Sequence, residues 1–368
     1  MPHSLSPAFL GAIACSAQEL GTLRQLGEYR GRQELFTRQR PEVLASMRQV
    51  AMVESSESSN RLEGITAPHA RVKGLVLKST SPRDRSEQEI AGYRDALDLI
   101  HGSASAMPFS PNVIRQLHGM LYRYVASQGG EWKPTDNEIV ERGPSGEILR
   151  VRFRAVSAVE TPQAMEDLCS RTAEATRGGE HDPLIIVPLA ILDFLCIHPF
   201  LDGNGRAARL LTLQLLYQAG YEVGRYISLE RIFEDSKKTY YDTLETSSKG
   251  WHQAEHDGGP WLRYFWGVLL RAYSEFEERV GQVGGGRGSK SQQVRDAVQR
   301  KLTPFKLTDL ERDCPGVSRD TVRVVLRELR KQGMVVVEGR GPGARWRVVN
   351  AKIDAGIGSG VDEEGDPT

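Results

Sequence analysis

The reading turns on one stretch, His198-Pro199-Phe200-Leu201-Asp202-Gly203-Asn204-Gly205-Arg206-Ala207-Ala208-Arg209. Upstream of it, Leu184 to Ile197 is apolar on every side, the pattern of a buried helix, in which Pro188 is tolerable only in the first turn. Downstream, Arg206 to Ala219 carries leucines at 210, 211, 213, 215 and 216 and is closed by Gly220, a C-cap residue. A polar, glycine-rich loop therefore lies between two core helices. Gly203-Asn204-Gly205 offers successive backbone N–H groups where the second helix begins and its dipole favours an anion. Arg206 and Arg209, three residues apart, share a helical face and add two cations.

Such a loop predicts a polyphosphate ligand, held by backbone amides and neutralised by the arginines. Asp202 is the natural ligand for Mg²⁺, which takes one or two carboxylates plus phosphate oxygens. His198 is the nearby side chain that accepts a proton near neutral pH. A base beside a metal-bound polyphosphate points to an incoming hydroxyl and a phosphoryl or nucleotidyl transfer. Taken singly, Gly-Asn-Gly also reads as an ordinary tight turn and His198 as a capped core histidine. The ordered set between two apolar helices favours the chemical reading.

With every fixed position present, the stretch resembles the signature of the Fic family (filamentation induced by cAMP), His-Pro-Phe-x-Asp/Glu-Gly-Asn-Gly-Arg-x-x-Arg. The similarity runs over roughly residues 40 to 280. The resemblance implies transfer of AMP from ATP to a protein hydroxyl, with pyrophosphate leaving. It makes His198 the base and Asp202 the Mg²⁺ ligand. It places Gly203, Asn204, Gly205 and Arg206 on the α- and β-phosphates, Arg209 on the γ-phosphate, and Phe200 in the core as the anchor of the loop.

A second stretch bears on the first. A helix is expected from Pro41 to about Glu63, with Val43, Met47 and Val50 on its apolar face and Gly64 as its C-cap. Ser59 and Glu63 are four apart and share one face. An acid at a helix C-terminus opposes the dipole, so Glu63 requires a cationic partner elsewhere; the plain alternative is a solvated helix-end acid. Ser59-x-x-x-Glu63-Gly64 resembles the Fic inhibitory motif, Ser/Thr-x-x-x-Glu-Gly/Asn. The resemblance implies that Glu63 pairs with Arg209 and blocks the γ-phosphate.

At 368 residues, the prior is two to three domains, and 39% hydrophobic with 26% charged residues is ordinary globular composition. The cysteines at 15, 169, 196 and 314 show neither metal-ligand spacing nor a disulfide framework. No signal peptide is read in residues 1–20 and no run reaches the apolar length of a membrane span, so a cytoplasmic protein is expected. The zero net charge hides an asymmetry: residues 287–347 hold 15 Lys+Arg against 7 Asp+Glu.

The expected fold is mainly α, a helical Fic core with a β-hairpin flap, followed by a small winged helix-turn-helix domain of α+β type. In chain order these are an N-terminal helical region (1–100, with the inhibitory helix at about 41–63), the catalytic core (101–280), a linker (281–290), the winged-helix domain (291–349) and a disordered acidic tail (350–368). Helical periods cover 86–100, 111–124 and 260–281, the last with a core stripe of Leu262, Phe265, Leu269 and Tyr273. Two β-like runs, 138–140 and 148–156, flank the hairpin signal Arg142-Gly143-Pro144-Ser145-Gly146. By resemblance this hairpin docks the protein substrate by strand addition over about 138–156; a plain surface hairpin is the alternative.

Tyr240 and Tyr241, on a helix expected from about 230 to 246, resemble family positions that line the adenine site, although aromatic residues there are as often core. His252-Gln253-Ala254-Glu255-His256 matches H-x-x-E-H, but Asp257-Gly258-Gly259-Pro260 follows at once and argues for a loop, so the match is taken as chance. In the last module, helices are expected at 292–302, 307–312 and 318–332, with strands at 334–337 and 345–349 around Gly339-Arg340-Gly341-Pro342-Gly343. Arg319, Arg323, Arg327 and Arg330 recur at helical spacing, as phosphate contacts do, so contact through 291–349 with DNA is weighed against docking of a protein. A homodimer is implied by the resemblance alone. Three rival functions stand beside AMP transfer: removal of AMP at the same site, transfer of another phosphate-bearing group, and a DNA-binding regulator that uses the core as a nucleotide sensor.

Overall fold

The computed structural model describes residues 4–39, 41–126, 129–142, 145, 147–283, 289–299, 301, 304–314, 317–339 and 344–349. Hairpin-turn residues 143, 144 and 146, linker residues 284–288, loop residues 340–343 and the tail 350–368 lie outside them. The chain divides into two compact units, residues 1–277 and 278–368. The helices of the larger unit are α1 (Pro7–Ala12), α2 (Ala17–Gln39), α3 (Pro41–Leu62), α4 (His69–Val76), α5 (Arg85–Ser103), α6 (Pro111–Leu121), α7 (Thr161–Gly178), α8 (Pro183–Ile197), α9 (Asn204–Gln218), α10 (Leu229–Asp235), α11 (Lys237–Ser248) and α12 (Gly259–Val283). One antiparallel hairpin, β1 (Glu138–Arg142) and β2 (Ile148–Arg154), interrupts them. Among the described residues, no helix is long and apolar enough to cross a membrane.

Helix α8 anchors the loop that follows it in the core. Asp182 caps it by accepting from Leu184 N–H at 2.8 Å, and almost every residue to Ile197 is buried. Pro188 lies in the helix interior rather than its first turn. Its missing N–H leaves the Leu184 carbonyl unclaimed within the helix. Trp266 Nε1 on α12 donates to that carbonyl at 2.8 Å, and Trp261 Nε1 donates to Pro188 O at 2.7 Å. The Trp266 indole therefore supplies the donor that the proline removes, and Trp261 adds a second bond beside it. Elsewhere α5 and α6 approach so closely that a Cβ on Gly92 would stand 2.3 Å from Leu121 O.

Two expected elements differ in detail. The buried face of α3 holds Leu44, Met47, Ala51 and Leu62, whereas Val50 is exposed. That face also carries Ser55, whose hydroxyl donates to Glu230 at 2.7 Å, and Ser59, so its buried side is partly polar and an apolar count misplaces it. The helix expected over 230–246 is broken into α10 and α11 at Ser236. There the side-chain hydroxyl donates to Ile232 O at 2.7 Å, a local bond that competes with helix continuation.

In the hairpin, Glu138 pairs with Arg154 at 3.2 Å and Glu141 with Arg150 at 2.8 Å across the strands. Arg150 also ties β2 to Glu245 of α11 at 2.6 Å. The smaller unit contains α13 (Ser289–Gln299), α14 (Leu307–Asp313), α15 (Arg319–Lys331) and the antiparallel pair β3 (Val335–Glu338) and β4 (Arg345–Val348). Its core includes Val294, Val298, Phe305, Leu310, Val322 and Leu326. Ser318 caps α15 through Thr321 N–H, and Arg319, Arg323, Arg327 and Arg330 are all exposed.

Candidate active site

His198 stands where α8 ends, in the left-handed region at φ 50° and ψ 60°, which is uncommon for a residue with a side chain. Its N–H donates to Phe194 O at 2.9 Å. Its Nδ1 lies 3.3 Å from Leu195 O. A carbonyl only accepts, so Nδ1 carries the proton and Nε2 is left as the acceptor. Burial pushes the imidazole down to about 4; the Leu195 contact opposes this and the Lys133 cation adds to it. Near neutral pH the ring is uncharged, as a general base must be.

After His198 the loop is braced from within. Phe200 is fully buried and stacks on His118 with ring centroids 3.6 Å apart. Asn204 folds back on it: Oδ1 accepts from Phe200 N–H at 2.9 Å, and Nδ2 donates to Phe200 O at 2.7 Å. The Asn204 side chain is thus a loop brace, and only its backbone remains for a ligand. Gly203, at φ 79°, begins α9 with no side-chain cap among the described residues. Such an uncapped first turn suits an anion. Asp202 accepts from Gly203 N–H at 2.7 Å and from Tyr122 O–H at 2.8 Å, and its side chain is largely exposed. Burial opposes its charge, but Tyr122 and Arg206 outweigh it and hold the carboxyl below its usual range.

The two arginines part company. Arg209 Nη2 donates to Glu63 Oε1 at 2.7 Å and to Ser59 O at 2.8 Å, and Nε donates to Ser59 Oγ at 2.8 Å. Burial works against its charge, but Glu63 and its other neighbours hold it above its usual range. The Glu63 carboxylate lies against the loop backbone so tightly that a Cβ on Gly205 would meet Oε1 at 2.2 Å. Arg206 turns instead to the core, donating to Glu89 at 2.5 Å and Tyr122 Oη at 2.8 Å. The sequence reading placed both on phosphate; Arg206 does not line the cavity, because its charge neutralises Glu89 in the interior.

A cavity of about 200 Å³ gathers the remaining residues. His198, Gly205, Arg209, Glu63, Tyr240 and Tyr241 all line it, beside apolar Leu192 and Leu195. Asp202, Gly203 and Asn204 belong to the adjoining loop rather than its walls. Tyr240 is buried and so serves core and cavity together. The hairpin contributes Ile139, Arg152 and Phe153. The histidines of the H-x-x-E-H match make separate contacts, His252 with Arg154 O at 2.7 Å and His256 with Ser4 Oγ at 2.8 Å.

Several site residues carried no local signal. His118 accepts at Nδ1 from Gly130 N–H at 2.8 Å and donates from Nε2 to Asp202 O at 2.9 Å, so it is held in one neutral tautomer. Burial pushes it down to about 4. Tyr122, Glu89, Lys133 and Asn137 likewise reach the loop only through the fold.

The Fic/DOC family model matches residues 108–216. "Protein adenylyltransferase Fic" of Drosophila ananassae is 25% identical over 198 residues, which is 51% of this chain and 35% of that one. The chain therefore spans about a third of the length of that relative. A protein named ribonucleoside-diphosphate reductase small chain, from Ostreid herpesvirus 1, is 28% identical over 125 residues, 33% of this chain and 21% of that one. The crystal structure of a Fic family protein from Desulfovibrio desulfuricans G20 superposes with a TM-score of 0.60 at 20% identity, over 95% of this chain and 99% of that one. The family match thus spans the signature loop and the helices around it, so residues 108–216 form a Fic/DOC domain, and the chain has the fold of the Fic family structure it superposes on.

Proposed function

We propose that this protein transfers AMP from ATP to a hydroxyl side chain of a target protein, releasing pyrophosphate, and that Glu63 holds the activity down. The observation that carries this reading is a neutral His198, protonated at Nδ1 and so an acceptor at Nε2, in the same cavity as a buried Arg209 whose anion position is occupied by Glu63. Nε2 takes the proton of the incoming hydroxyl as its oxygen bonds to the α-phosphorus and the bond to the bridging oxygen breaks. The amides of Asn204 and Gly205, in the uncapped first turn of α9, hold the phosphates, while the Gly203 amide fixes Asp202. Arg209 meets the terminal phosphate once Glu63 has withdrawn, and Tyr240 and Tyr241 flank the base. Arg206 acts from behind, as a brace. The ionised, exposed Asp202 carboxylate fits a Mg²⁺, which when bound would offset phosphate charge. The hairpin, already part of the cavity wall, receives the target segment along its free edge.

The test uses ATP labelled at the α-phosphate with Mg²⁺ and three proteins: wild type, Glu63→Gly, and Glu63→Gly with His198→Ala. Label on protein is expected with the second alone. Loss of His198 should cost on the order of 10²–10⁴ in rate. Label that survives His198→Ala removes the base assignment. Label no higher in Glu63→Gly than in wild type removes the brake. Nucleotide binding without label in any of them moves the reading to AMP removal, with Glu63 orienting water in the same cavity.

A second surface supports a separate reading. The outward face of α15 presents Arg319, Arg323, Arg327 and Arg330 while Val322, Val325, Leu326 and Leu329 face the core. We read it as a contact for double-stranded DNA. Binding should weaken steeply between about 50 and 200 mM salt. Retention of binding in Arg323→Ala/Arg327→Ala would exclude this face.

A further inference from the structure

The segment before β1, residues 129–137, forms no helix or strand, yet it grips the His198 loop at successive carbonyls. Lys133 N–H donates to Pro199 O at 2.8 Å. Lys133 Nζ donates to Ile197 O at 3.1 Å and to Asn137 Oδ1 at 2.8 Å. Asn137 Nδ2 donates to Phe200 O at 2.9 Å and stands 3.5 Å from His198 O. One strap thus reaches the carbonyls of residues 197 to 200, on both sides of the left-handed His198.

Lys133 is the unusual member. It is 2% exposed, and the acceptors its ammonium reaches are neutral. A buried charge is costly where a neutral donor could make the same bonds. What a neutral donor lacks is charge at the end of α8. Ile197 is the last residue of that helix, so its carbonyl has no partner within the helix and lies at the negative end of the dipole. A non-glycine residue in the left-handed region persists only where its surroundings over-determine it.

We propose that Lys133 is a positioning residue for the transfer reaction, whose ammonium clamps the end of α8 and sets the His198 turn that aims the imidazole into the cavity. This rests on the reading of His198 as the base. The electrostatics agree. Burial is the largest influence lowering His198, Lys133 lowers it further, and the facing carboxylates Glu63 and Asp202 oppose. Arg209, Arg152, Glu245, Tyr240 and Tyr241 share the cavity with it.

The experiment measures two things on the full chain. Histidine ¹⁵N NMR follows the tautomer and titration of His198 in wild type, Lys133→Met and Lys133→Gln, with no turnover required. kcat and KM for ATP are measured for the same substitutions in the Glu63→Gly background. Thermal melts show which variants fold; Lys133→Gln keeps an N–H donor for Ile197 and replaces Lys133→Met where that one does not. The expected result is a kcat about 10- to 100-fold lower, with KM within about threefold, and a His198 midpoint moved up toward the ordinary value of about 6.5. An unmoved His198 titration in a folded variant overturns the proposal, whether or not kcat falls. So does an unchanged kcat. Should Glu63→Gly transfer no AMP, the reading of the site fails while the NMR still decides whether Lys133 sets His198.

Discussion

Arg206 and Arg209 begin the same helix three residues apart, and each is paired with a glutamate from another helix or its end, yet the pairs differ in kind. Arg206 and Glu89 are 0% and 6% exposed, with Tyr122 taking a further N–H. Arg209 is as buried, at 2%, but Glu63 is 29% exposed. Glu63 also follows the last turn of α3, where the dipole disfavours an acid. When Glu63 leaves, Ser59 Oγ and O still accept from the guanidinium. The exposure of the acid, rather than that of the arginine, separates the two pairs. A partly exposed carboxylate can return to water, and a phosphate that takes its place restores a negative partner to the buried arginine.

The sharpest way to break this contrast is the same substitution at both acids. Glu89→Gln takes the buried carboxylate from Arg206, leaving it the exposed Asp202 at 3.5 Å, and should cost about 3–5 kcal/mol in urea unfolding. A loss below about 1 kcal/mol would mean that Arg206 is no brace.

Acid probes the Arg206 side of the loop through His118. Its folded-state value, about 4, lies below the ordinary 6.5, so its contribution is fully present above 6.5 and is lost as pH falls through 4. The span corresponds to about 3 kcal/mol at most. Asp193, pushed up to about 6 by burial, works in the opposite sense, its contribution fading as pH rises through 6. Comparing wild type with His118→Gln cancels Asp193. The wild type should lose more stability than the variant between pH 7 and 4, and equal losses would remove His118 from the bracing.

Ligand linkage reports on the Arg209 side. Glu63→Gly should gain about 2.7 kcal/mol from MgATP at a hundredfold excess over Kd, and wild type, at the same concentration, distinctly less. Equal thermal shifts would show that Glu63 is no obstacle to nucleotide. Smallest of all is the stability change in Glu63→Gln without nucleotide. The acid is partly solvated, so the cost should be under about 1 kcal/mol, and a loss matching that of Glu89→Gln would erase the distinction.

How much of this was legible depended on sequence distance. Pro199 to Arg209 could be read because the bonds that shape the loop are local: Asn204 to Phe200, Asp202 to Gly203, and the helix that starts at Asn204. The hairpin and the Ser318 cap were legible for the same reason. The face of α3 was misplaced at Val50 because its buried side is lined with serines that hydrogen-bond across helices. The motif puts Arg206 on phosphate, and its pairing with Glu89, 117 residues away, is invisible from the motif. Tyr240 and Tyr241 were legible as aromatic residues and undecided between core and cavity; both line the cavity.

By itself, the sequence determined that an apolar helix, a glycine-rich loop and a second helix follow one another, and that a histidine, a carboxylate and two arginines ride on them. Those are properties of periodicity, capping and residue type, which act over a few positions. Only the tertiary structure decided which arginine faces the cavity and that a buried lysine grips the carbonyls on both sides of His198, and it brings Glu63 onto Arg209, 146 residues away, as the resemblance implied. Charge has no register in a sequence. Its meaning comes from burial and from the partner the fold brings within about 3 Å.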